Sequence, residues 1–356
     1  MSGFRDGLRN KSPLVLLAAL ALLAPALLLI QSCFTSGAWS VVPVERWLRN
    51  ATDDYMYVSW TVGELKRDPP RRPLVVLLGG SSGREAIASG RSLAADVRAD
   101  GGPRIAAYNL SSRMQRYAQS WAIVDNLPDT PTTVLVGVNL GRFTTSPKSN
   151  YNQVIGRELL LKSESLRRWV VSRSGEHRYS YTILPGIFSA LTTYAQQRER
   201  DFLFKHRLHP LPYRTHAFDR RQALSPAAKQ KLVRKWLSDY YPAFQRVLDF
   251  NVAMLDQLVR RGKQRGLDIV IVELPYNREA VGTAFDPALA AYRAPTREIA
   301  ERHGVPYLDF NDRLAIPSAA FLDLSHLRPD GRAAWQAELA RQLARLYRDG
   351  ALRETP

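Results

Sequence analysis

The sequence predicts an α/β fold, a three-layer α/β/α sandwich built around a mostly parallel sheet. Two observations favour this fold: short apolar runs of strand length recur along the chain, and longer stretches with helical periodicity separate them. Because the runs are continuous rather than alternating, we expect strands that are buried on both faces. Strands that alternate with helices in this way are typical of parallel sheets.

Five apolar runs are the candidate strands. The clearest covers residues 74–78, which are all Leu or Val and are followed by two glycines. The other four candidates cover residues 104–108, 133–136, 267–272 and 305–309. Helical patterns at residues 252–265 and 295–303 precede the last two runs, and a final amphipathic helix is expected at residues 332–347.

A candidate membrane anchor lies at residues 12–31. Its apolar core, residues 13–30, is an uncharged run of 18 residues that follows three basic side chains. As a helix this run extends roughly 27 Å, close to the thickness of a bilayer core. Basic flanks stay on the cytoplasmic side, so residues 1–11 are expected in the cytoplasm and the bulk of the protein in the periplasm or outside the cell.

Cys33 is the one cysteine of the chain, which excludes an intramolecular disulfide and a cysteine-rich zinc site. Residues 30–33 loosely resemble a lipoprotein processing site, so lipidation of Cys33 is an alternative to an uncleaved anchor. Either arrangement keeps the protein on the inner membrane as a single-pass or lipid-attached protein.

Composition shifts divide the rest of the chain. Residues 32–72 predict a helical juxtamembrane stalk, and the proline-rich segment at 68–73 is interpreted as the boundary before the catalytic domain. That domain is expected at residues 73–350, with a short tail at 351–356. Strand signals fade at residues 148–241, where basic, aromatic and leucine-rich patterns predict a helical insertion.

The chain is strongly basic, with 50 Lys and Arg against 33 Asp and Glu and a net charge of +17. An anionic partner follows as one hypothesis. Nucleic acid is not expected, because zinc-ligand spacing and RNA-binding aromatic signatures do not accompany the charge. Anionic lipid headgroups and an acidic envelope polymer fit better, and a solvated basic surface without a specific partner is the alternative.

A glycine-serine turn follows the first strand. It contains Ser81 and Ser82 after two glycines, at the carboxyl end of the sheet where open α/β folds place their sites. A phosphate cradle and a plain turn are alternatives, but neither a Walker loop nor a dinucleotide loop is present. Counting from the first glycine favours Ser81 as a nucleophile.

The second group of candidate residues lies near the end of the chain. Asp323 and His326 are three residues apart, so the carboxylate can hold one imidazole nitrogen while the other faces a serine. The remaining histidines lack metal-ligand spacing and are interpreted as surface or structural residues, namely His177, His206, His209, His216 and His303. Neither a metal site nor another cofactor is predicted.

These residues resemble the motifs of the SGNH, or GDSL-type, hydrolase superfamily. In that family a Gly-x-Ser turn bears the nucleophile, which matches Ser81, and a late Asp-x-x-His completes the triad, which matches Asp323 and His326. The resemblance implies oxyanion donors after the second and third strands. Asn139 matches the family's asparagine, whereas Ser111 stands where a glycine is usual.

The departures and the anchor resemble a membrane-anchored branch that includes the teichoic-acid D-alanyl transfer protein and the alginate O-acetylation proteins. The resemblance implies an extracytoplasmic serine esterase or O-acyltransferase that acts on an acylated envelope polymer or polysaccharide, beside a membrane-bound O-acyltransferase. The implied oxyanion hole comprises the N–H groups of Ser81 and Ser111 and the amide of Asn139.

Two alternatives to an enzyme of this kind stay open. One is a polymer-binding partner subunit with little turnover, which the altered second motif favours. The other is a nucleotide-binding α/β protein that uses the glycine-serine turn. Arg84 and Arg113 follow the first two strands and either contact an anionic substrate or pair with Glu85 and solvent.

Overall fold

The computed structural model describes residues 12–44, 54–148, 161, 163–174, 216, 218–219 and 221–354. Five strands form one parallel sheet in the order β2-β1-β3-β4-β5. They are β1 Leu74–Leu78, β2 Ala106–Asn109, β3 Thr132–Val138, β4 Asp268–Glu273 and β5 Tyr307–Leu308. The predicted α/β fold with a parallel sheet is therefore confirmed.

Helices connect the strands. In chain order the α-helices are α1 Pro13–Thr35, α2 Asp54–Arg67, α3 Ser81–Arg84, α4 Gly90–Ala99, α5 Tyr117–Asn126, α6 Glu164–Ser174, α7 Pro226–Lys235, α8 Tyr241–Gln264, α9 Arg278–Val281, α10 Asp286–His303 and α11 Pro329–Arg348. Short 3₁₀ turns lie at Ala38–Val41, Leu140–Phe143 and Ser318–Ala320, and a π-helical turn, Trp236–Tyr240, joins α7 to α8.

The sheet is buried on both faces, as its apolar strands require. Along β1, Leu74, Val76 and Leu78 belong to one hydrophobic cluster, which also contains residues of α5, α8 and α10. Val75 and Leu77 point the other way, into a second cluster with residues of α4 and α11. Successive strand residues face opposite sides. Helices on both sides are consistent with the predicted three-layer arrangement.

Helix α2, which lies in the predicted stalk at residues 32–72, packs in this core. Its Val58, Val62 and Leu65 lie in the same cluster as one face of β1, with at most 2% exposure. The predicted boundary at residues 68–73 lies between α2 and β1 and stays a prediction, while both elements pack in one core.

Helix α1 has 23 residues, and large apolar side chains such as Leu14 and Leu22 are exposed along it. Within the part of the chain that the structure describes, no helix combines the length and apolar character needed to cross a membrane. The membrane anchor at residues 12–31 therefore stays a prediction. Much of the predicted insertion at residues 148–241 lies outside the described residues, which include α6 and α7 and the turn after α7.

Candidate active site

The site lies where two neighbouring strands, β1 and β3, end side by side. The strand order places β1 between β2 and β3, so the connections that leave β1 and β3 diverge at this point. A crevice forms at such a switch point, outside the carboxyl ends of the strands. Ser81 follows β1 and Asn139 follows β3, so the topology explains why both side chains reach one place.

Ser81 begins the short helix α3, directly after Gly80, and it is partly exposed. Its Oγ lies 2.8 Å from Nε2 of His326. The structure thus brings the predicted nucleophile and the predicted base into hydrogen-bond contact across 245 positions of sequence.

Asp323 holds the other side of the imidazole. Nδ1 of His326 lies 2.7 Å from Oδ2 of Asp323 and 2.9 Å from Oδ1. A carboxylate only accepts hydrogen bonds, so Nδ1 carries the proton and Nε2 of the neutral ring accepts from the Ser81 hydroxyl. The three predicted catalytic residues therefore form a continuous relay with the geometry of a serine–histidine–aspartate triad.

The Asp323 carboxylate is kept ionised although it is largely buried. Burial alone would raise its pKa, but the hydrogen bond and charge of His326 and the backbone N–H groups of Ser325 and His326 outweigh burial. Those two N–H groups donate to Oδ1 at 2.9 and 3.0 Å. The net result is a pKa below the usual aspartate value.

The loop that carries Asp323 and His326 is fixed by backbone hydrogen bonds. The N–H of Leu322 donates to the carbonyl oxygen of His326 at 2.9 Å, which closes the turn on itself. Asn277 donates from Nδ2 to the Asp323 carbonyl at 3.0 Å. Because the backbone on both sides of Asp323 is bonded, the carboxylate and imidazole have little freedom to separate.

Phe218 packs against the catalytic histidine, and no sequence motif indicates this contact. Its ring meets the His326 ring edge-on, with centroids 4.7 Å apart and planes at 63°. The neighbouring Asp219 accepts a hydrogen bond from Arg332 at 2.6 Å, and Arg332 also donates to the carbonyl of Glu85. This part of the predicted insertion is therefore tied to the helix that follows the catalytic loop.

Asn139 lies beside the second serine. Its Nδ2 donates to the Ser82 hydroxyl at 3.1 Å, and its Oδ1 accepts the backbone N–H of Arg142 at 3.2 Å. The Arg142 contact fixes which end of the amide faces the crevice. Ser82 is only 3% exposed, and its hydroxyl contacts Asn139. The hydroxyl that meets the base belongs to Ser81, in agreement with the choice made from the sequence.

Ser111 is placed differently from the predicted oxyanion donor. Its backbone N–H donates to Oδ1 of Asn109 at 3.1 Å, its Oγ donates to the carbonyl of Leu77, and the residue is fully buried. Met114, three positions later, lines the pocket beside Ser81 and has a φ of 60°. Left-handed backbone is rare for methionine and is enriched at functional sites.

A pocket of about 270 Å³ opens next to Ser81 and Asn139. Most of its wall is apolar or aromatic, with Leu140, Trp236, Leu274, Phe285 and Leu289 among the lining residues. On this measure a cavity of about 10–15 Å³ holds one water, so the space is far larger than a single water requires. The pocket therefore has room for a larger acyl group or for part of the alcohol.

Glu273 forms part of the same wall and was not singled out from the sequence. It is the last residue of β4, only 1% exposed, and Tyr292 and Tyr307 donate hydroxyl hydrogen bonds to it, the latter at 2.9 Å. Burial raises the pKa of Glu273 to about 8, and Arg293, 3.4 Å away, opposes the shift. One feature of the sequence could have indicated Glu273, namely its position at the carboxyl end of a buried strand.

Arg84 takes part in a buried ion-pair network beneath the nucleophile. It contacts both Asp54, with Nε 2.7 Å from Oδ1, and the carboxylate of Glu85. Arg113 donates its backbone N–H to the other oxygen of Asp54 at 2.9 Å. The predicted alternative, pairing of Arg84 with Glu85, is confirmed, and Asp54 of α2 joins the network.

Two of the other histidines are described, and both have structural partners. His216 lies 3.0 Å from Glu85 through Nδ1, and His303 lies 2.9 Å from Asp256 through Nε2. His177, His206 and His209 lie outside the described residues.

Comparison with known proteins adds no family assignment. No protein-family model matches the chain, and no curated protein sequence matches it significantly. The resemblance to the SGNH superfamily therefore stays a prediction.

Proposed function

We propose that the protein is a serine esterase or O-acyltransferase of the SGNH type that works through an acyl-enzyme. The single observation that carries this proposal is the relay from Ser81 through His326 to Asp323, with contacts of 2.8 and 2.7 Å. A hydroxyl, an imidazole and a partly buried carboxylate in this order are the parts that activate a serine for attack on a carbonyl.

The proposed reaction has two halves. Nε2 of His326 takes the hydroxyl proton while Ser81 Oγ attacks the ester carbonyl, and the same nitrogen returns the proton to the departing alcohol. The acyl group is then bonded to Ser81. Water, or a hydroxyl of a second sugar, repeats the sequence in reverse and frees the serine. Asp323 stays ionised and stabilises the imidazolium in both halves.

Two groups are proposed to receive the negative oxygen of the tetrahedral intermediate. These are the amide of Asn139, whose Nδ2 already points at the adjacent Ser82 hydroxyl at 3.1 Å, and the N–H of Ser81. Because the N–H of Ser111 donates to Asn109, a third donor would have to come from elsewhere in the same loop. Met114 is the candidate, since it lines the pocket beside Ser81.

We further propose that the enzyme acts outside the cytoplasm while anchored to the inner membrane. The basic residues before position 12, the apolar run that follows them and the exposed leucines of α1 support this location. The substrate would be an acyl ester on an envelope polymer or polysaccharide, with a membrane-bound O-acyltransferase as a partner. The basic charge and the SGNH resemblance support that assignment.

The alternative is a polymer-binding partner subunit with little turnover. The engaged N–H of Ser111 favours it, because one oxyanion donor expected from the family is unavailable. Hydrolysis of 4-nitrophenyl acetate by the full-length protein in neutral detergent separates the two. Hydrolysis that Ser81→Ala abolishes and Ser82→Ala largely retains supports the enzyme, whereas equal rates in wild type and Ser81→Ala contradict it.

A further inference from the structure

A second concave surface lies at the edge of the sheet, beside β2. Strand β2 pairs with β1 alone, so it is an edge strand. Together with α4 it encloses a groove of about 680 Å³. We name this the β2 groove. It is lined by Arg72, Arg91, Arg98 and Arg104 and by residues 105–108 of the strand and the segment before it.

The four arginines give the β2 groove an unbalanced positive charge. All four are exposed, and the groove is lined by no acidic residue of the described chain. Among the described ion pairs none involves Arg72, Arg91, Arg98 or Arg104, although other surface arginines such as Arg278 and Arg302 are paired. Glu64 and Asp68 act electrostatically on the lining residue Tyr108, so they offset part of this charge. The arginines remain in excess, and clustered cations in excess attract anions.

The shape of the groove follows from small residues between the charges. Arg91 and Arg98 are seven positions apart, so they lie on one face of α4 about 10 Å from each other along the axis. Ala94 and Ala95 lie between them and leave the space open. A Cβ at Gly90 would stand 1.8 Å from the carbonyl oxygen of Ala107, so glycine permits the close approach of α4 to β2.

An edge strand also presents backbone donors and acceptors on its open side. In the β2 groove these groups belong to residues 105–108, and the four arginines line the same groove. A chain that carries regularly spaced anionic oxygens and hydroxyl groups matches both features, because arginine forks bind the anions and the backbone binds hydroxyls. A membrane surface is flat on this scale, so a concave groove fits a single polymer chain better than lipid headgroups.

We infer that the β2 groove is a binding site for a polyanionic chain, a linear glycan or polyester that carries repeated carboxylate or phosphate groups. This inference deepens the proposed function, because it states the charge of the polymer. It places the polymer at the sheet edge, whereas the ester would react at Ser81. The groove shares Arg91 and Tyr108 with a second cavity that reaches Arg84, the residue that ends the nucleophile helix.

The test is binding of the full-length protein in neutral detergent to fluorescent oligogalacturonate and to inorganic polyphosphate. The variant Arg91→Glu/Arg98→Glu/Arg104→Glu should weaken binding of at least one polyanion tenfold or more. The slope of log Kd against log salt should fall by about 2, since each lost contact removes roughly 0.7. The polyanion that binds more tightly identifies carboxylate or phosphate as the preferred group.

The matched control is Arg168→Glu/Arg234→Glu/Arg246→Glu, which changes the net charge equally at three exposed arginines on other helices. It should bind nearly as wild type does. Equal weakening by both variants would show a non-specific charge effect and overturn the inference. Two other results would also overturn the inference. One is that the groove variant weakens binding only to phosphatidylglycerol vesicles. The other is that the groove variant binds the polyanions normally but dimerises through the β2 edge.

The thermal midpoint of each variant shows whether that variant is folded. If the triple variant is not folded, three single Arg→Gln variants replace it.

Failure of this inference and failure of the proposed function are distinguishable. Ser81→Ala should bind the polyanion as wild type does, and the groove variant should hydrolyse neutral 4-nitrophenyl acetate as wild type does. Binding without hydrolysis by the wild type would contradict the proposed function alone.

Discussion

The ring of Phe218 packs edge-on against the imidazole of His326, with 4.7 Å between ring centroids. This contact packs an apolar ring against one side of the catalytic histidine. It also joins part of the predicted insertion to the triad, so the segment contributes to the site although its sequence lacks a recognisable motif. An aromatic contact of this geometry contributes roughly 0.5–1.5 kcal/mol beyond buried area.

Loss of the Phe218 ring should impair positioning of His326. We expect Phe218→Ala to lower kcat about threefold to tenfold with a smaller change in KM, because the imidazole is less firmly held while the pocket is intact. Phe218→Tyr should restore most of kcat. Steady-state kinetics on 4-nitrophenyl acetate measure both values. An unchanged kcat, or equal losses in the alanine and tyrosine variants, would contradict a positioning role.

Asp323→Asn should lower kcat by about 10³–10⁴, since the amide cannot hold the required imidazole tautomer.

The same substitution should also change how stability depends on pH. The pKa of Asp323 is lowered from 3.8, so its contribution is fully present above that value and is lost as pH falls through the folded-state pKa. Urea unfolding between pH 5 and pH 2 should therefore show a shallower loss of stability in Asp323→Asn than in wild type.

Asn139→Ala should remove a donor that acts mainly in the transition state. We expect kcat to fall about 10²–10³-fold while KM changes little. Ser82→Ala is the matched control, because it removes the hydroxyl that contacts Asn139 but leaves the amide present. A loss in Ser82→Ala as large as that in Asn139→Ala would argue that the pair is structural.

The parts of the fold that follow from local sequence were predictable. Apolar runs marked the strands, and the side chains just after β1 and β3 share one edge because parallel strands end together. The Asp-x-x-His spacing was sufficient to predict the contact between Asp323 and His326. The choice of Ser81 as the partner of that pair rested on the strand register, on the glycines of the turn, on Asn139 after the third strand and on the resemblance to the SGNH motifs.

Other parts depend on three-dimensional detail that a pattern does not contain. The path of the loop after β2 decides which of its backbone N–H groups faces the site. In the structure the N–H of Ser111 donates a hydrogen bond to Asn109. The prolines at 68–73 indicated a boundary, but Val58 and Val62 of α2 complete the core beside β1. Phe218 meets His326 across 108 residues of chain, and its contact leaves no periodic signal.

Glu273 should make stability fall as pH rises through neutrality. Its pKa is raised from 4.5 to about 8, so the folded state retains a proton that the unfolded state releases. The stabilising effect is fully present below 4.5 and is lost as pH rises through about 8. Glu273→Gln should flatten this dependence between pH 5 and pH 8.5 in urea unfolding. A slope equal to that of wild type would show that Glu273 is not the responsible group.

The acyl-enzyme at Ser81 is tested most directly by reaction of the full-length protein with a fluorophosphonate, followed by mass spectrometry of its peptides. We predict one modified residue, Ser81, with full labelling in Ser82→Ala and at least a hundredfold slower labelling in His326→Ala. Absence of labelling in the wild type, or modification of Ser82 or another serine instead, would contradict the account.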